Sequence, residues 1–484
     1  LPSHAGASSY ISLKDNGQVK LNGRLYGDND IFYYSLDSVY EAELLDKNNR
    51  SIEKFQLVFK KSANIASAFI SLENDLMYIH QSKDYKEKGQ LCLIEKDGST
   101  AYENGIALSG RGNSTWLLQK KGYNLTLDTA SDILNAGSGN EFVLVANAFD
   151  ESFVRNKLMM ALAADVNLGF SPQSDYVDVY INNNYYGLYL ICERIGIEKN
   201  KLDLPDLDQQ NRILNQAKSN RAIRQTKVET ETMKYFAFHY NPDDITGGYL
   251  LEIDKYTGYL EAESGFMTNS GKYVAIKRPV YASKEQVAYI KALFDSLESA
   301  INNNGYDASS GKYLDQIIDM ESWAKRYILD EFSLNIDSGI SSCYFYKKAN
   351  HISPLIFAGP VWDFDQSLTN SSDLSQTPEA AAELYAVNKF SWYGLLYRNK
   401  QFYQILTRQY QSEFLPVLDD YLLYKIDEEI DRVYLAAQMD YLRWSNADER
   451  KKYRWFDDLE LQREDLKRVF KTRMDYLASI WVDE

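Results

Sequence analysis

One acidic stretch in the C-terminal half, residues 323–368, decides the fold. It reads WAKRYILDEFSLNIDSGISSCYFYKKANHISPLIFAGPVWDFDQSL. Its first third has the apolar spacing of a helix, which breaks at the polar segment Asn335–Gly339. Two strand-like runs follow, Cys343–Lys348 and Pro354–Ala358, and the second leads into the acidic turn Trp362–Asp365. Each strand of this predicted hairpin therefore has acidic residues at one end.

Carboxylates at strand ends are typical of cation sites. Loops on a rigid scaffold hold Mg²⁺ through carboxylate oxygens, and the same oxygens can orient an attacking group. Taken alone, the Trp-Asp-Phe-Asp turn is also typical of a structural Asx turn or of a Ca²⁺-binding loop. The rest of the chain must decide between these interpretations.

The composition indicates a globular protein. The chain has 484 residues, enough for two or three domains, with 45% apolar and 25% charged residues. No apolar run approaches the roughly 18 residues that cross a bilayer. The net charge of -16 argues against a protein whose main role is to bind nucleic acid, because that role usually needs basic patches.

The cysteines and the start of the chain bear on its compartment. Cys92, Cys192 and Cys343 lie far apart in apolar runs, so we expect buried free thiols rather than a disulfide. The chain starts at Leu1 without a leader pattern, so we expect that any signal peptide has been removed. The 38 tyrosines and the recurring Asn-rich turns resemble the composition of secreted bacterial surface proteins.

The N-terminal third reads as β structure. Residues 1–64 predict a β-rich extension or a small β domain, with Asn, Asp and Gly turns between strands. A later strand runs into the turn Gly110–Trp116, whose glycines expose N–H groups as phosphate-binding turns do, although Gly-Arg-Gly also occurs in ordinary turns. The next strand, Lys120–Asp128, alternates between an apolar and a polar face, formed by Tyr123, Leu125 and Leu127 and by Asn124, Thr126 and Asp128.

The middle of the chain alternates between helix and strand. A helix is predicted over Ser152–Asp165, with Asp150 placed to cap its first turn. A hairpin ends at Glu193, and a polar connection covers 196–244. The segment Gly247–Lys255 predicts a strand with acidic residues on one side, and the chain beyond 375 is predicted to be helical.

The order of these parts is that of a protein-kinase-like fold. A phosphate-covering turn, a Lys-bearing strand and a helix come first, and two acidic loops come later. A set of motifs in this order resembles the CotH family of atypical, spore-coat-type protein kinases over roughly residues 65–484. The motifs are Arg111-Gly-Asn-Ser-Thr-Trp116, Lys121-Gly-Tyr, Arg155-Asn156, Tyr186-Gly-Leu-Tyr with Glu193, Gly247-Gly-Tyr-Leu-Leu-Glu-Ile-Asp254, Asn335-Ile-Asp337 and Trp362-Asp363-Phe-Asp365.

The resemblance implies an α+β, atypical protein-kinase-like fold with two lobes, a β-rich N-terminal extension and a helical C-terminal part. The expected units are an extension over 1–64, a small lobe over 65–195, and a large lobe over 196–484 with insertions and C-terminal helices. The implied activity is Mg²⁺-dependent transfer of the ATP γ-phosphate to Ser or Thr hydroxyls of an extracellular or cell-surface protein, with Mn²⁺ as a possible replacement. The implied partners are a protein substrate and a nucleotide, with no nucleic acid and no transmembrane segment.

The resemblance also implies roles for individual residues. Asp337 would orient the attacking hydroxyl or accept its proton, and Asp363 would bind the metal, with Asp365 as a second ligand. Lys121 would contact the nucleotide phosphates, as would Arg111 and its neighbour Gly112. Glu193 would lie where the adenine-binding connection is expected. The predicted site thus has seven residues. Asp337 and Lys121 act in catalysis, Arg111, Gly112, Glu193 and again Lys121 act in nucleotide binding, and Asp363 and Asp365 bind the metal.

Two departures from the kinase pattern stand beside these expectations. A second metal ligand, usually Asn, is expected five residues after Asp337, where this chain has Ser342. The helix from 152 has no interior Glu to pair with Lys121, since Glu151 sits at its start. These departures leave two alternatives open: a catalytically silent structural or interaction module of a surface, spore-coat or secreted assembly, and nucleotidyl or other phosphate transfer on the same fold.

Overall fold

The computed structural model describes residues 1–13, 17–133, 138–199, 201–217, 219–370, 379–445 and 458–482. It has a mixed α+β architecture with several sheets, in agreement with the α+β prediction. The three cysteines are free thiols, as predicted, and Cys192 and Cys343 are buried, whereas Cys92 is only half-buried.

The first part of the chain is β structure, as its turn pattern predicts. A four-stranded antiparallel sheet has the order β3-β2-β5-β6, and β1 pairs with β4. A small apolar core of its own, centred on Val19, Phe32 and Ala42, lies among these strands. The strands are β1 (Ser8–Tyr10), β2 (Gln18–Leu21), β3 (Arg24–Tyr26), β4 (Ile31–Tyr33), β5 (Val39–Leu45) and β6 (Ser51–Val58).

A closed seven-stranded barrel follows. Its strands are β7 (Ala66–Leu72), β8 (Lys86–Ile94), β9 (Thr100–Arg111), β10 (Gly122–Asp132), β11 (Ser138–Val145), β12 (Ser174–Ile181) and β13 (Asn184–Glu193). Their order around the barrel is β10-β11-β13-β12-β7-β8-β9, closed by a parallel pairing of β12 with β7. Tyr123, Leu125 and Leu127 are buried in the barrel core, so the predicted alternation of β10 is confirmed.

Two helices interrupt the barrel strands. Helix α1 spans Met77–Gln81, and α2 spans Arg155–Asp165. The Asp150 carboxylate accepts hydrogen bonds from the backbone N–H groups of Ser152 and Arg155, as the capping prediction requires. Helix α2 begins three residues later than predicted because Ser152 and Phe153 belong to the capping turn.

The second large sheet carries the acidic hairpin. Its seven strands follow the order β14-β15-β17-β18-β16-β21-β22. They are β14 (Lys227–Glu229), β15 (Met233–Phe236), β16 (Tyr249–Ile253), β17 (Ser264–Met267), β18 (Tyr273–Arg278), β21 (Cys343–Lys347) and β22 (Ile356–Ala358). A short separate pair is formed by β19 (Tyr306–Asp307) and β20 (Lys312–Tyr313). Helices α3 (Leu207–Leu214) and α4 (Asn220–Arg224) precede β14, and α5 (Tyr256–Glu261), α6 (Lys284–Asn302) and α7 (Met320–Phe332) lie between later strands.

The C-terminal part is helical where it is described. Its helices are α8 (Ala386–Lys389), α9 (Ser391–Arg398), α10 (Lys400–Gln409), α11 (Leu415–Asp420), α12 (Ile426–Arg443) and α13 (Leu459–Trp481). The helical prediction also covers 376–378 and 446–457, which lie outside the described residues. Within the described ranges, every helix is too short or too polar to cross a membrane.

Helix α12 docks on the barrel. The Asp440 carboxylate accepts hydrogen bonds from Lys120 Nζ at 2.6 Å and from the Leu188 backbone N–H at 2.8 Å. Gly187 must be glycine here, because a Cβ at its positive φ of 117° would lie 2.3 Å from that carboxylate. The contact fixes the start of β10, and with it the turn before β10, against the helical part.

Candidate active site

The acidic hairpin brings two predicted site residues to one end of the second sheet. Strands β21 and β22 pair antiparallel, with Phe345 opposite Ala358. The start of β21, preceded by Asp337, therefore lies beside the end of β22, followed by Asp363. This is the arrangement that the sequence pattern predicts.

Helix α7 anchors the loop that carries Asp337. Its buried Asp330 accepts hydrogen bonds from Arg326 Nε and Asn335 Nδ2, both at 3.0 Å. The Asn335 side-chain oxygen then accepts the backbone N–H of Asp337 at 3.1 Å. The loop is thus held by a chain of hydrogen bonds from the core, and the Asp337 carboxylate is left to face the cavity.

The Asp363 turn is held from two sides. Ser342 Oγ donates a hydrogen bond to Asp363 Oδ2 at 3.0 Å, and the backbone N–H of Phe364 donates to Asn156 Oδ1 at 2.7 Å. Asp363 itself has a φ of 70°, in the left-handed region. Ser342 occupies the position of the expected second metal ligand, and in this structure its hydroxyl orients Asp363.

Like charge accumulates around the two acidic side chains of this turn. Burial, reinforced by the negative charge of Asp337, raises the pKa of Asp363 to about 6. Burial and the charge of Asp363 raise the pKa of Asp365 well above its ordinary value. Carboxylates that repel one another in a partly desolvated site favour the binding of a cation, because the positive charge offsets the repulsion.

These residues line one cavity of about 870 Å³. Its walls come from the glycine turn and β10, from α2, from the β16–α5 segment and from the acidic hairpin. Of the predicted site residues, the structure brings five to this cavity: Arg111, Gly112, Asp337, Asp363 and Asp365.

Arg111 and the glycine turn form the barrel side of the cavity. The Arg111 guanidinium lies 5.0 Å from the ring centroid of Trp362, next to the acidic turn. Burial lowers the pKa of Arg111, and the charge of Asp363 opposes that shift. Gly112 has a φ of 107°, and a Cβ there would lie 2.2 Å from Thr115 Oγ1. The turn therefore requires glycine at this position, and Gly112 is part of the cavity lining.

Lys121 and Glu193 lie apart from the described lining. Lys121 Nζ donates hydrogen bonds to the carbonyls of Trp116 and Leu118 and lies over the Trp116 ring. Lys121 therefore stabilises the end of the glycine turn through these carbonyls. Glu193 is buried at the end of β13, where its carboxylate accepts the backbone N–H of Gln173 at 2.9 Å and where burial raises its pKa. The structure does not bring either side chain together with Asp337 and Asp363.

The second sheet adds charged residues to the cavity that the sequence reasoning assigned no role. Glu252 pairs with Lys277 at 2.8 Å, Ser341 Oγ donates to Asp254 Oδ1 at 2.9 Å, and Lys255 Nζ lies 3.4 Å from Asp337 Oδ1. The acidic side of the predicted strand Gly247–Lys255 is the signal for Glu252 and Asp254. Lys255 has no such local signal, because its contact with Asp337 spans 82 residues.

The donor set fits Mg²⁺ bound together with a nucleotide. In the part of the chain that the structure describes, no three His, Cys, Asp or Glu side chains converge on one point as a complete metal site. Mg²⁺ usually takes only one or two carboxylates and completes its shell with phosphate oxygens and water. Asp363 and Asp365 supply such a pair of hard oxygen ligands, with a glycine turn and an arginine nearby.

Comparison with known families identifies the chain. The family model described as CotH kinase protein matches residues 108–477, which is more than half of the chain. The chain belongs to the CotH kinase family. No curated protein matches it. Membership in the CotH kinase family confirms the resemblance drawn from the motifs. It also makes the chain kinase-like, a class of protein that in general uses a nucleotide, a divalent metal and a protein substrate.

Proposed function

We propose that this CotH kinase family member is a Mg²⁺-dependent protein kinase that transfers the ATP γ-phosphate to Ser or Thr hydroxyls of a protein outside the cytoplasm. The observation that carries the proposal is the shared cavity: Asp337, the Asp363–Asp365 pair, Arg111 and the glycine turn all line it. Phosphoryl transfer requires mainly positioning and charge neutralisation, and these groups supply both.

Each group has a defined task in this proposal. Asp363 and Asp365 would hold the metal, which would supply neutralisation of the phosphate charge. Arg111 and the backbone of the glycine turn orient the phosphates. Asp337 hydrogen-bonds the acceptor hydroxyl and takes its proton. Ser342 is a positioning residue, since its hydroxyl is bonded to Asp363.

The proposal also assigns the parts of the chain. The closed barrel with α2, over 65–195, is the small, nucleotide-covering lobe, and 196–484 is the large lobe that supplies the carboxylates. Residues 1–64, with their own small core, are an added β unit. The division is supported by the barrel strands, which begin and end within 66–193.

The test is phosphate transfer from γ-labelled ATP in the presence of Mg²⁺, with Ser- and Thr-containing peptides as acceptors and label on the protein itself also counted. Asp363→Ala should reduce transfer about a hundredfold or more while the protein still folds. Asp337→Ala should lower turnover more than nucleotide binding. Asp475→Ala is the matched control, because Asp475 is exposed on α13 and pairs with Lys471. Unchanged labelling in Asp363→Ala would contradict the metal assignment, and weakened ATP binding with intact turnover in Asp337→Ala would contradict the role of Asp337.

A catalytically silent interaction module is the second candidate. Two observations favour it: Lys121 Nζ is bonded to carbonyls behind the glycine turn, and Ser342 stands where a second metal ligand is expected. Thermal unfolding with and without Mg²⁺-ATP separates the two functions. A kinase should be stabilised by mass action, by about 2.7 kcal/mol at a nucleotide concentration one hundred times Kd, whereas a silent module that binds no nucleotide should show no shift.

A further inference from the structure

An exposed lysine contacts the predicted catalytic aspartate. Lys255 lies two residues after the end of β16, lines the cavity, and places its Nζ 3.4 Å from Asp337 Oδ1. Its side chain is 58% exposed, so its pairing with Asp337 is open to solvent. Three other lysines line the cavity: Lys83 is paired with Glu261, Lys277 is paired with Glu252, and Lys86 is exposed at the start of β8.

The backbone of Lys255 is fixed by a buried carboxylate. Asp254 Oδ1 accepts the Lys255 backbone N–H at 2.7 Å and the Ser341 hydroxyl at 2.9 Å. The first turn of α5 packs on the same carboxylate, because a Cβ at Gly258 would lie 1.9 Å from Asp254 Oδ2. The Asp254 side chain therefore links the backbone of Lys255 to the loop that follows Asp337, and this link fixes the position of Lys255 relative to that loop.

The position of Lys255 matters because it puts a positive charge beside a group of carboxylates. Three carboxylates, Asp337, Asp363 and Asp365, face a reaction in which negative charge spreads over the oxygens of the transferred group. The lysine predicted for the phosphates, Lys121, is directed towards backbone carbonyls. An ammonium group beside Asp337 lies next to the carboxylate that the acceptor hydroxyl must reach, and hence next to the phosphorus that this hydroxyl attacks.

We propose that Lys255 is a catalytic residue that donates hydrogen bonds to the oxygens of the transferred phosphoryl group beside Asp337. This role rests on the proposed function. In the step, the acceptor oxygen forms a bond to the γ-phosphorus while the bond from that phosphorus to the β–γ bridging oxygen breaks. The hydroxyl proton passes to Asp337, and ADP leaves with the electron pair of the broken bond. Lys255 keeps all its protons and stabilises the charge on the phosphoryl oxygens.

The test compares Lys255→Met, Lys255→Arg and the control Lys471→Met, which removes an exposed lysine on α13. Turnover and KM for ATP are measured with Mg²⁺, and the binding of ATP and AMP is measured by calorimetry. Lys255→Met should lower kcat about a hundredfold and weaken ATP binding several-fold, with AMP binding and the unfolding midpoint unchanged. Lys255→Arg should keep part of the activity, since it retains the charge. The control should behave as the wild type.

Two results would overturn the assignment in different ways. A Lys255→Met variant whose kcat and ATP affinity stay within threefold of an active wild type would contradict the role of Lys255 and leave the proposed function standing. A wild type that neither binds Mg²⁺-ATP nor transfers phosphate would contradict the proposed function, and the role of Lys255 with it. Equal losses of ATP and AMP binding would show a merely structural role, and would also contradict the assignment.

Discussion

Glu331 and the Asp363–Asp365 pair lie close together in the chain and differ in how their negative charge is compensated. Glu331, at the end of α7, pairs with Arg473 at 2.9 Å and also accepts hydrogen bonds from the Tyr327 hydroxyl and from backbone N–H groups of the α8 region. Asp363 and Asp365 instead lie near each other and near Asp337, so like charges repel, and the pKa values of both residues are raised. A buried carboxylate with a full set of donors is part of the structure, whereas an under-compensated pair favours a ligand of opposite charge.

The first prediction concerns Glu331 and the arginine that compensates its charge. Arg473→Met leaves Glu331 buried without its cation, and should lower the free energy of unfolding by about 3–5 kcal/mol. Denaturant unfolding measures this loss. Arg468→Met on the same helix is the control, because Arg468 forms an exposed pair with Asp465 and should cost less than about 1 kcal/mol. Equal effects of the two substitutions would show that Glu331 does not depend on Arg473.

The second prediction has the opposite sign and concerns the under-compensated pair. Asp365→Asn removes one of two like charges from a buried site, so the protein should become more stable without Mg²⁺, by about 1–3 kcal/mol. The same variant should lose the thermal stabilisation that Mg²⁺-ATP gives to the wild type. A metal-free variant less stable than the wild type would mean that the Asp365 carboxylate is held by compensating donors, as Glu331 is. Asp475→Asn, at an exposed pair, controls for the change of charge.

This contrast also separates what the sequence predicts from what it does not. Helix α7, the strands β21 and β22 and the acidic ends of the hairpin follow from periodicity and turn chemistry, which are local. Asp337 and Asp363 therefore lie towards the same end of the sheet, because antiparallel pairing places the start of β21 beside the end of β22. The capping turn of α2 is local in the same sense, since Asp150 bonds its own next residues.

Long-range partners carry no comparable signal. The Lys-Lys pair at 120–121 looks uniform in sequence, yet Lys120 bonds Asp440 on α12 while Lys121 bonds carbonyls of the preceding turn. The parallel pairing of β7 with β12 closes the barrel across more than a hundred residues, and neither strand indicates it. Lys255 belongs to this class, because only the folded sheet places it beside Asp337. Which lysine lies beside Asp337 is thus a property of topology.

The third prediction concerns Asp178, a buried carboxylate outside the cavity, and the pH dependence of its contribution to stability. Burial raises the pKa of Asp178, on β12, to about 6, although the Tyr185 hydroxyl donates to it at 3.0 Å. Its unfolded value is near 3.9, so the folded state binds more protons between about pH 4 and 6, and stability contributed by this group falls as pH rises through that window. Asp178→Asn should therefore stabilise the protein by about 1–2 kcal/mol at pH 7 and by almost nothing at pH 4.

Denaturant unfolding of the wild type and Asp178→Asn over this pH range measures the difference directly. The difference cancels other titrating groups, because both proteins contain them. A constant difference from pH 4 to 7 would show that Asp178 is compensated in the folded state. It would then belong with Glu331 rather than with the pair in the cavity.

The smallest expected effect is at an exposed pair that crosses the cavity. Lys83 Nζ lies 3.0 Å from both carboxylate oxygens of Glu261, joining the segment before β8 to α5 across 178 residues. The Glu261 side chain is 61% exposed, so solvent screens the pair, and Lys83→Met should change the free energy of unfolding by less than about 1 kcal/mol. Unfolding at low and high salt measures this effect, which should fade as salt is added. A loss as large as that of Arg473→Met, insensitive to salt, would mean that geometry rather than burial decides what an ion pair contributes here. A small, salt-sensitive loss would show that burial decides how much an ion pair contributes to stability. Burial would then also explain why Asp363 and Asp365, which lack a full set of donors, differ from the exposed pairs.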